Sequence, residues 1–340
     1  MFTDIGMDLG TAKTVIFAGR GVVLNEPSVV SVETETGRPI KFGHDAYRMV
    51  GRTPDRITTI FPIERGVIAN YEVAEQMVRY FLKKIYGNRM LKPRVMVSMP
   101  SGVTAVQQRS VRTVVEDAGA RDVCLIEAPV AAAIGVGVDF KKPHGTIVVD
   151  IGAGRTDVAV LSMGGLAQCE SIRLASLDFN EAIIRYVRKE YNILIGVRTA
   201  EELKQNIGCV VHRPVEVAMK SKGRNLFSGL PEVFEITSNE ICDAISEVSY
   251  GICGAIQSVL ERTPPELVAD ISTDGILLTG GGALIHGMPE LLQRYTGIAA
   301  SIVAEPATCV ARGTGKALEH PELLENGDYE FRSLQDLTLE

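Results

Sequence analysis

The chain has 340 residues, of which 46% are hydrophobic and 23% charged, a composition typical of a globular protein with two large domains or one divided domain. Its formal net charge of −7 argues against a general nucleic-acid binder, because neutralising a phosphate backbone requires a basic face. The cysteines form no CxxC or Cys/His pair, so we expect reduced thiols and neither zinc nor a disulfide framework. No basic and apolar leader starts the chain, so we do not expect secretion.

The first informative pattern is DLGTAKT at Asp8–Thr14, which the apolar run Val15–Phe17 follows. Apolar residues on both sides of a glycine-bearing turn predict a strand, a turn and a second strand. Glycines in such a turn let backbone N–H groups approach an anion, and the leading aspartate is placed to hold a metal-bound water. A single copy of this pattern fits a plain hairpin turn equally well.

Strands and helices alternate over the rest of the first half. Val22–Val32 and Arg94–Met99 predict strands, and Val73–Tyr86 predicts a helix with one inward apolar stripe. The residues of that stripe are Val73, Met77, Phe81 and Ile85. A capping box at Thr104-x-x-Gln starts another helix. Glycines and a proline interrupt Val123–Val138, which therefore predicts a buried strand, turn and helix and not a membrane span.

The second half repeats this order of elements. DIGAGRT at Asp150–Thr156 again lies between predicted strands, at Thr146–Ile151 and Thr156–Ser162. Neither copy of the motif is a Walker loop or a dinucleotide fingerprint, because both of those lead from a strand into a helix. The repetition argues against a plain hairpin turn and predicts two related turns that clamp a polyphosphate.

Further signals follow the second motif. A predicted helix turns one apolar stripe inward, made of Phe179, Ile183, Val187 and Tyr191. Thr199-x-x-Glu202 predicts a capping box for the next helix, which Gly208 ends. A buried strand at Ile276–Thr279 then leads into three glycines. Without Cβ atoms their backbone can lie flat against a planar ring or a ribose-phosphate, although three glycines also fit a β-bulge.

The order of hairpin, second hairpin and TGGGA resembles the actin, heat-shock chaperone and sugar-kinase superfamily. Within it, the chain resembles the bacterial actins of the MreB/Mbl family, from about Ile5 to about Leu318, with segments such as AAAIG at Ala131–Gly135 and LTGGGAL at Leu278–Leu284. The resemblance implies an α/β, actin-like ATPase fold, in which two duplicated ribonuclease-H-like domains surround a nucleotide cleft. We expect domain I at 1–143 with an insert at about 32–65, domain II at 144–318 with an insert at about 181–245, and a tail at 319–340.

The resemblance also implies a function. It predicts a filament protein that binds ATP and Mg²⁺, associates with itself, and lies in the cytoplasm at the inner face of the cell membrane. There it would act with cell-wall elongation proteins in cell-shape determination, without nucleic acid. A non-polymerising adaptor of the same fold is the alternative. A sugar or acetate kinase is disfavoured, because no catalytic carboxylate for a second substrate can be placed.

By position, the resemblance assigns nucleotide contacts to four segments. The first loop supplies Asp8, Gly10, Thr11, Ala12 and Lys13. The second supplies Asp150, Gly152, Ala153, Gly154, Arg155 and Thr156. The adenosine side has Glu201, Glu202, Leu203, Lys204, Gly280, Gly281, Gly282, Ala283 and Leu284. Asp8 and Asp150 are expected to hold Mg²⁺ through water, whereas spacing alone also fits a solvated helix face for the Glu and Lys residues.

Several site positions depart from the family pattern. Ala128 stands where the family has the carboxylate that positions the attacking water, and Arg155 replaces a hydroxyl that helps to hold it. Lys13 replaces an asparagine, and the other departures are Ser176, Leu177 and Asn206. We therefore expect tight ATP binding with weak or absent hydrolysis, with the two new cations paired with phosphate. The alternative is that Glu127 substitutes for the lost carboxylate.

Met90 and Leu91 form a small apolar wedge between Arg89 and Lys92, on the segment between a predicted helix and a predicted strand. An apolar wedge between cations suits an anionic bilayer, and the segment resembles the membrane-inserting loop of the family. We therefore expect membrane contact here. Packing of both residues back onto their own domain remains the alternative.

Overall fold

The computed structural model describes residues 4–87, 92–139 and 141–320. The strands of the first half are β1 (Asp4–Leu9), β2 (Lys13–Ala18), β3 (Gly21–Pro27), β4 (Val30–Glu33), β5 (Pro39–Phe42), β6 (Ile57–Ile60), β7 (Ile63–Glu64), β8 (Val67–Ile68), β9 (Arg94–Met99) and β10 (Asp122–Glu127). The helices of this half are α1 (Gly43–Tyr47), α2 (Tyr71–Tyr86), α3 (Ala105–Asp117) and α4 (Ala128–Val136).

The second half continues this alternation of strands and helices. Its strands are β11 (Thr146–Ile151), β12 (Thr156–Ser162), β13 (Gly165–Ile172), β14 (Ile193–Leu194), β15 (Ala218–Asn225), β16 (Pro231–Thr237), β17 (Ile276–Thr279) and β18 (Ala300–Ile302). Its helices are α5 (Ser176–Tyr191), α6 (Val197–Ile207), α7 (Ser238–Arg262), α8 (Pro265–Asp274), α9 (Met288–Thr296) and α10 (Cys309–Glu319). Short 3₁₀ turns cover Gly281–Leu284 and Pro306–Thr308.

The two halves share one sheet topology. The first sheet has the strand order β3–β2–β1–β9–β10, and the second has β13–β12–β11–β17–β18. In each sheet the first strand in the chain pairs antiparallel with the next strand and parallel with a strand that comes much later. This equivalence confirms the duplicated α/β design that the repeated motif predicts. Smaller sheets, β5–β4–β6 and β14–β15–β16, belong to the first and second half respectively.

Most of the predicted elements are confirmed within a few residues. The predicted strand Val22–Val32 is instead two strands, β3 and β4, in different sheets. β3 ends before Ser28 because Ser28 turns towards the first loop. Its N–H donates to Ala12 O at 2.9 Å, and its hydroxyl donates to Gly10 O at 2.7 Å. A strand prediction based on apolar residues does not take account of these two hydrogen bonds to residues far back in the chain.

Helix starts show where local patterns suffice. The capping box of Thr104 and Gln107 is present at the start of α3. The box predicted at Thr199 is wrong, because α6 already begins at Val197 and its first backbone hydrogen bond runs from Ala200 N to Gly196 O. Burial of the apolar side of α6 sets its register, and Thr199 falls inside the first turn.

Helices α4 and α10 pack against each other and connect the two halves. A Cβ on Gly313 would lie 1.6 Å from Ala131 O, and one on Gly135 would lie 2.2 Å from Cys309 O, so only glycine permits this approach. Although it comes late in the chain, α10 also packs against β1, where Gly6 faces the backbone of Gly315. None of the helices in the described ranges is long and apolar enough to span a bilayer.

Candidate functional site

The first loop is a four-residue turn, Gly10–Lys13, between β1 and β2. Leu9 pairs with Thr14 across the antiparallel ladder, and Gly10 N donates to Lys13 O at 3.1 Å. A Cβ on Gly10 would lie 2.8 Å from that oxygen, so the turn requires glycine at its first position. The predicted arrangement of strand, turn and strand is confirmed here.

The second loop, Gly152–Arg155, repeats this geometry between β11 and β12. Ile151 pairs with Thr156, and Gly152 N donates to Arg155 O at 2.9 Å. A Cβ on Gly152 would lie 3.0 Å from the same oxygen. The two loops thus have the same length, the same closing hydrogen bond and the same glycine requirement.

The two loops meet through the turn between β7 and β8. A Cβ on Gly154 would lie 2.7 Å from Thr11 Oγ1 and 2.8 Å from Arg65 Cα. Thr11 Oγ1 also accepts a hydrogen bond from Gly66 N at 2.9 Å. One loop of each half therefore lies directly against the other.

Three carboxylates lie beside the loops, of which Asp157 is buried and Asp8 and Asp150 are half-buried. Burial raises the pKa of Asp8 to about 6, although Ser98 Oγ donates to Asp8 Oδ1 at 2.8 Å. Burial also raises the pKa of Asp150 well above its usual value, and the negative charges of Asp157 and Asp8 raise it further. The pKa of Asp157 is raised by burial as well. This excess of buried negative charge suits a cation.

The structure tests the water-mediated metal contact only in part. Within the described ranges, no three His, Cys, Asp or Glu side chains converge closely enough to ligate a metal directly. Carboxylate oxygens are the ligands that Mg²⁺ prefers, and it usually keeps several waters. Asp8 and Asp150 therefore fit a hydrated Mg²⁺, and that role stays a prediction.

Sequence reasoning missed two polar residues beside these carboxylates. Ser98 lies near the carboxyl end of β9, and Ser101 follows it two residues after the strand ends. Ser101 N donates to Asp157 Oδ1, and Ser101 Oγ donates to Glu127 Oε2, both at 3.1 Å. A signal was available, since polar residues at the carboxyl ends of parallel strands often line a binding crevice.

The two added cations behave differently. Lys13 is exposed on the first loop. Arg155 is half-buried, its Nε donates to Ser171 Oγ at 3.0 Å, and its side chain packs beside Gly66. Burial lowers the pKa of the Arg155 guanidinium. Ser171 thus holds part of a group that was expected to pair with phosphate.

Helix α6, to which the resemblance assigns adenosine contacts, carries an ion pair between Glu201 and Lys204. Lys204 is buried, and its Nζ donates to Glu201 Oε2 at 2.9 Å and to Ser176 O at 2.9 Å. Burial lowers the pKa of Lys204. Burial would raise the pKa of Glu201, but the charge of Lys204 and the hydrogen bonds from Lys204, Asn180 and Gln205 together lower it. Glu202 is exposed, whereas Leu203 lies wholly in the core. The alternative that these charged residues form a solvated helix face is therefore wrong for Glu201 and Lys204, whereas Glu202 does lie on such a face.

The glycine run packs against the second loop. Gly280 has φ +84°, and a Cβ on it would lie 2.3 Å from Ile151 O. A Cβ on Gly282 would lie 2.6 Å from Ile151 Cγ2, while Gly281 has open space. The run leads into a 3₁₀ turn, Gly281–Leu284, so the β-bulge alternative is wrong. Within this turn Ala283 is buried and Leu284 is exposed.

The position of the lost carboxylate lies where β10 ends and α4 begins. Ala128 is buried at the first position of α4, and Glu127 is the residue before it. Glu127 is bonded to Ser101, whose N–H binds Asp157, so it lies close to the carboxylate cluster. Met90 and Leu91, the predicted membrane wedge, lie outside the described residues.

Comparisons with known proteins bear on the whole chain. The MreB/Mbl protein family model matches residues 2–326. The cell shape-determining protein MreB of Escherichia coli (strain K12) is 46% identical over 323 residues, which is 93% of each chain. The cell shape-determining protein Mbl of Bacillus subtilis (strain 168) is 42% identical over 323 residues, covering 94% of this chain and 97% of Mbl.

Solved structures agree with the fold described above. MreB5 of Spiroplasma citri bound to ADP superposes with a TM-score of 0.89 at 36% identity, covering 95% of this chain and 98% of MreB5. A MamK double helical filament superposes with a TM-score of 0.79 at 20% identity, covering 93% of this chain and 98% of MamK. At that identity MamK shows the fold alone. These neighbours confirm the actin-like fold.

Proposed function

The chain belongs to the MreB/Mbl family, and from that premise we propose that it is an ATP-binding filament subunit that acts in cell-shape determination. The observation that carries the proposal is the pair of matching loops beside three carboxylates whose pKa values are all raised. One relative with this fold supports it, since Spiroplasma citri MreB5 has been solved both with ADP and with AMPPNP.

The two loops bind the phosphates in this proposal. Gly10 N and Gly152 N close the two turns, so the N–H groups offered to an anion come from the residues that follow, within 11–13 and 153–155. Asp8 and Asp150 hold the waters of Mg²⁺, which neutralises charge on the phosphate oxygens. Glu201 and Lys204 support the adenosine side from α6, and the exposed backbone at Gly281 completes the pocket.

Hydrolysis is slow or absent in this proposal. Ala128 has no group that can orient water, and Ser171 engages Arg155, which stands where the family has a hydroxyl. Glu127 lies nearby but is bonded to Ser101. Loss of a group that acts as a general base typically costs roughly 10²–10⁴-fold in rate. The filament would thus hold ATP for longer than it takes to assemble.

Membrane attachment through Met90 and Leu91 completes the proposal, placing the filament at the inner face of the cell membrane with the proteins of cell-wall elongation. Anionic vesicles test this attachment by co-sedimentation. We expect the double variant Met90→Ser, Leu91→Ser to lose binding and Val106→Ser, which changes an exposed apolar residue elsewhere, to keep it. Undiminished binding by the double variant would exclude the loop.

Calorimetric titration with ATP and Mg²⁺, followed by pelleting and electron microscopy, tests the central claim. We expect saturable ATP binding and nucleotide-dependent filaments. The variant Asp150→Asn should weaken the Mg²⁺ dependence of binding, whereas Asp45→Asn, at an exposed surface pair, should not. Binding without filaments would instead support the non-polymerising adaptor, and absence of ATP binding would refute both.

A further inference from the structure

Tyr47 and Arg198 make a contact between the two halves of the chain. The guanidinium carbon of Arg198 lies 5.8 Å from the centre of the Tyr47 ring, within the distance at which an aromatic face attracts a cation. Tyr47 ends α1 in the first half, and Arg198 is the second residue of α6 in the second half. Both residues are half-buried. The pair therefore joins the two segments that the sequence predicts as the inserts of domains I and II.

The burial of the Arg198 guanidinium strengthens this contact. Arg198 Nη1 is buried and finds no hydrogen-bond acceptor among the described residues. The attraction between a cation and a ring grows as the cation loses water, and the ring face supplies negative potential where no oxygen does. Burial raises the pKa of Tyr47, the negative charge of Glu201 raises it further, and Arg198 acts in the opposite direction. These effects agree with a Tyr47 ring that lies close to both residues of α6.

The first half holds Tyr47 in place through the start of α1. His44 N, at the second position of this helix, donates to Glu26 Oε2 at 2.8 Å. Gly43 has φ +58°, and a Cβ on it would lie 2.3 Å from the same oxygen, so the helix begins directly against the Glu26 side chain. Glu26 is itself buried near the end of β3. The short helix is therefore fixed to the first sheet one turn before Tyr47.

In the second half, α6 connects Arg198 to the proposed nucleotide contacts. Glu201 and Glu202 follow Arg198 by three and four residues, so the three side chains share one side of the helix. Leu203 and Ile207 lie on the other side of α6 and are buried in the core, which fixes the direction in which Arg198 extends. Tyr47 therefore meets α6 on the side that carries Glu201, which the proposed function places beside adenosine.

We propose that Tyr47 and Arg198 form a gate on the adenosine side of the nucleotide site, and that this contact must separate before a nucleotide enters or leaves. The gate rests on the nucleotide binding proposed above. Because both partners are side chains of the protein itself, the closed gate slows entry and exit by the same factor and leaves the dissociation constant unchanged. A residue that touches the nucleotide would instead slow exit alone and would lower the dissociation constant.

Stopped-flow binding and release of a fluorescent ATP analogue by the full chain, in the presence of Mg²⁺, tests the gate. We expect Tyr47→Ala and Arg198→Ala each to raise the association and dissociation rates together by roughly three- to fivefold, the effect of losing one partly buried cation–π contact. The dissociation constant should not change. Tyr47→Phe keeps the ring and should keep the parent rates. Arg48→Ala, which removes an exposed pair next to Tyr47, is the matched control and should also keep them.

The double variant Tyr47→Ala, Arg198→Ala distinguishes a shared contact from two independent effects, and circular dichroism checks that each variant is folded. Either single change already breaks the contact, so the double variant should exchange nucleotide no faster than the single variants. Effects that multiply in the double variant, or parent rates in both single variants, would overturn the gate. A dissociation constant that rises with the dissociation rate would also overturn it, because Tyr47 would then contact the nucleotide. Absence of saturable binding by the folded parent chain would refute the proposed function itself, and the gate with it.

Discussion

Arg65 and Asp178 join the two halves of the molecule across the cleft, with Arg65 Nη2 donating to Asp178 Oδ1 at 3.1 Å. Arg65 also donates to Arg173 O, and Ala175 N fixes Asp178 by donating to its second oxygen at 2.8 Å. The backbone of Arg65 has φ +46°, a left-handed conformation that a non-glycine residue adopts only at a cost. The turn between β7 and β8 therefore contributes one of the side-chain contacts that join the two halves.

Replacing Arg65 should weaken the contact between the two halves that it makes with Asp178. We expect Arg65→Ala to weaken the contact between the two halves by about 1 kcal/mol. The effect is this small because the Arg65 side chain is 41% exposed, and solvent weakens its pair with Asp178. That energy corresponds to roughly fivefold faster release of a fluorescent ATP analogue, measured by stopped flow. Arg48→Ala, which removes an exposed pair within the first half, is the control. Equal release rates in both variants would show that the pair of Arg65 and Asp178 has no effect on nucleotide release.

Asp8 should make the nucleotide-free protein sensitive to pH. Burial raises its pKa from 3.8 to about 6, so the folded state binds the proton more tightly than the unfolded chain does. Its contribution to stability is therefore fully present below pH 3.8 and is lost as the pH rises through about 6. The loss is about 3 kcal/mol by linkage.

Denaturant unfolding at a series of pH values measures this contribution. The variant Asp8→Asn should be more stable than the parent chain at pH 8 without nucleotide, and the difference should shrink towards pH 4. Asp45→Asn, at an exposed position, should follow the parent at every pH. A pH-independent difference between Asp8→Asn and the parent would contradict the assigned pKa shift.

Restoring the carboxylate at position 128 should restore hydrolysis. Ala128 is at the first position of α4, where a helix N-terminus favours a negative charge, so Ala128→Glu should fold. We expect phosphate release from ATP to rise at least about tenfold. The variant Glu127→Gln tests the alternative that Glu127 positions the attacking water. It should leave the rate of phosphate release unchanged unless Glu127 has that role. Equal rates for the parent chain and Ala128→Glu would refute slow hydrolysis through a missing carboxylate.

The contact between α4 and α10 should tolerate no side chain at Gly313. Because a Cβ on Gly313 would lie 1.6 Å from Ala131 O, we expect Gly313→Ala to cost about 3 kcal/mol of unfolding free energy. Gly254→Ala is the matched control, since Gly254 is also helical but has open space around it. It should stabilise the protein by up to about 1 kcal/mol. Thermal unfolding distinguishes the two, and similar melting temperatures would show that the helices can separate without loss.

Local signals were sufficient for much of the fold. The repeated motif at Asp8 and Asp150 predicted two hairpins, and Thr104 predicted the start of α3, because turn chemistry and capping act over a few residues. The same kind of signal failed at Thr199. There the preceding strand and the buried side of α6 decided where the helix begins.

The candidate site was predictable only in part. The loop glycines and their leading aspartates stand in recognisable motifs, whereas Ser98, Ser101 and Asp157 carry no motif of their own. Ser98 and Ser101 join the site because β9 runs parallel beside β1 and brings its carboxyl end to the loops. Asp157 joins it because β12 pairs with β11 and places Asp157 opposite Asp150. A residue's neighbours across a sheet cannot be obtained from its neighbours along the chain.

By itself, the sequence determined that two related halves each carry a glycine turn behind a buried aspartate, since alternation of apolar residues and glycine geometry are local properties. Only the tertiary structure decided that Arg65 would bind Asp178, 113 positions later, and that Ser171 would hold Arg155. Such pairings depend on how the sheets and helices pack, and on which charges that packing removes from water.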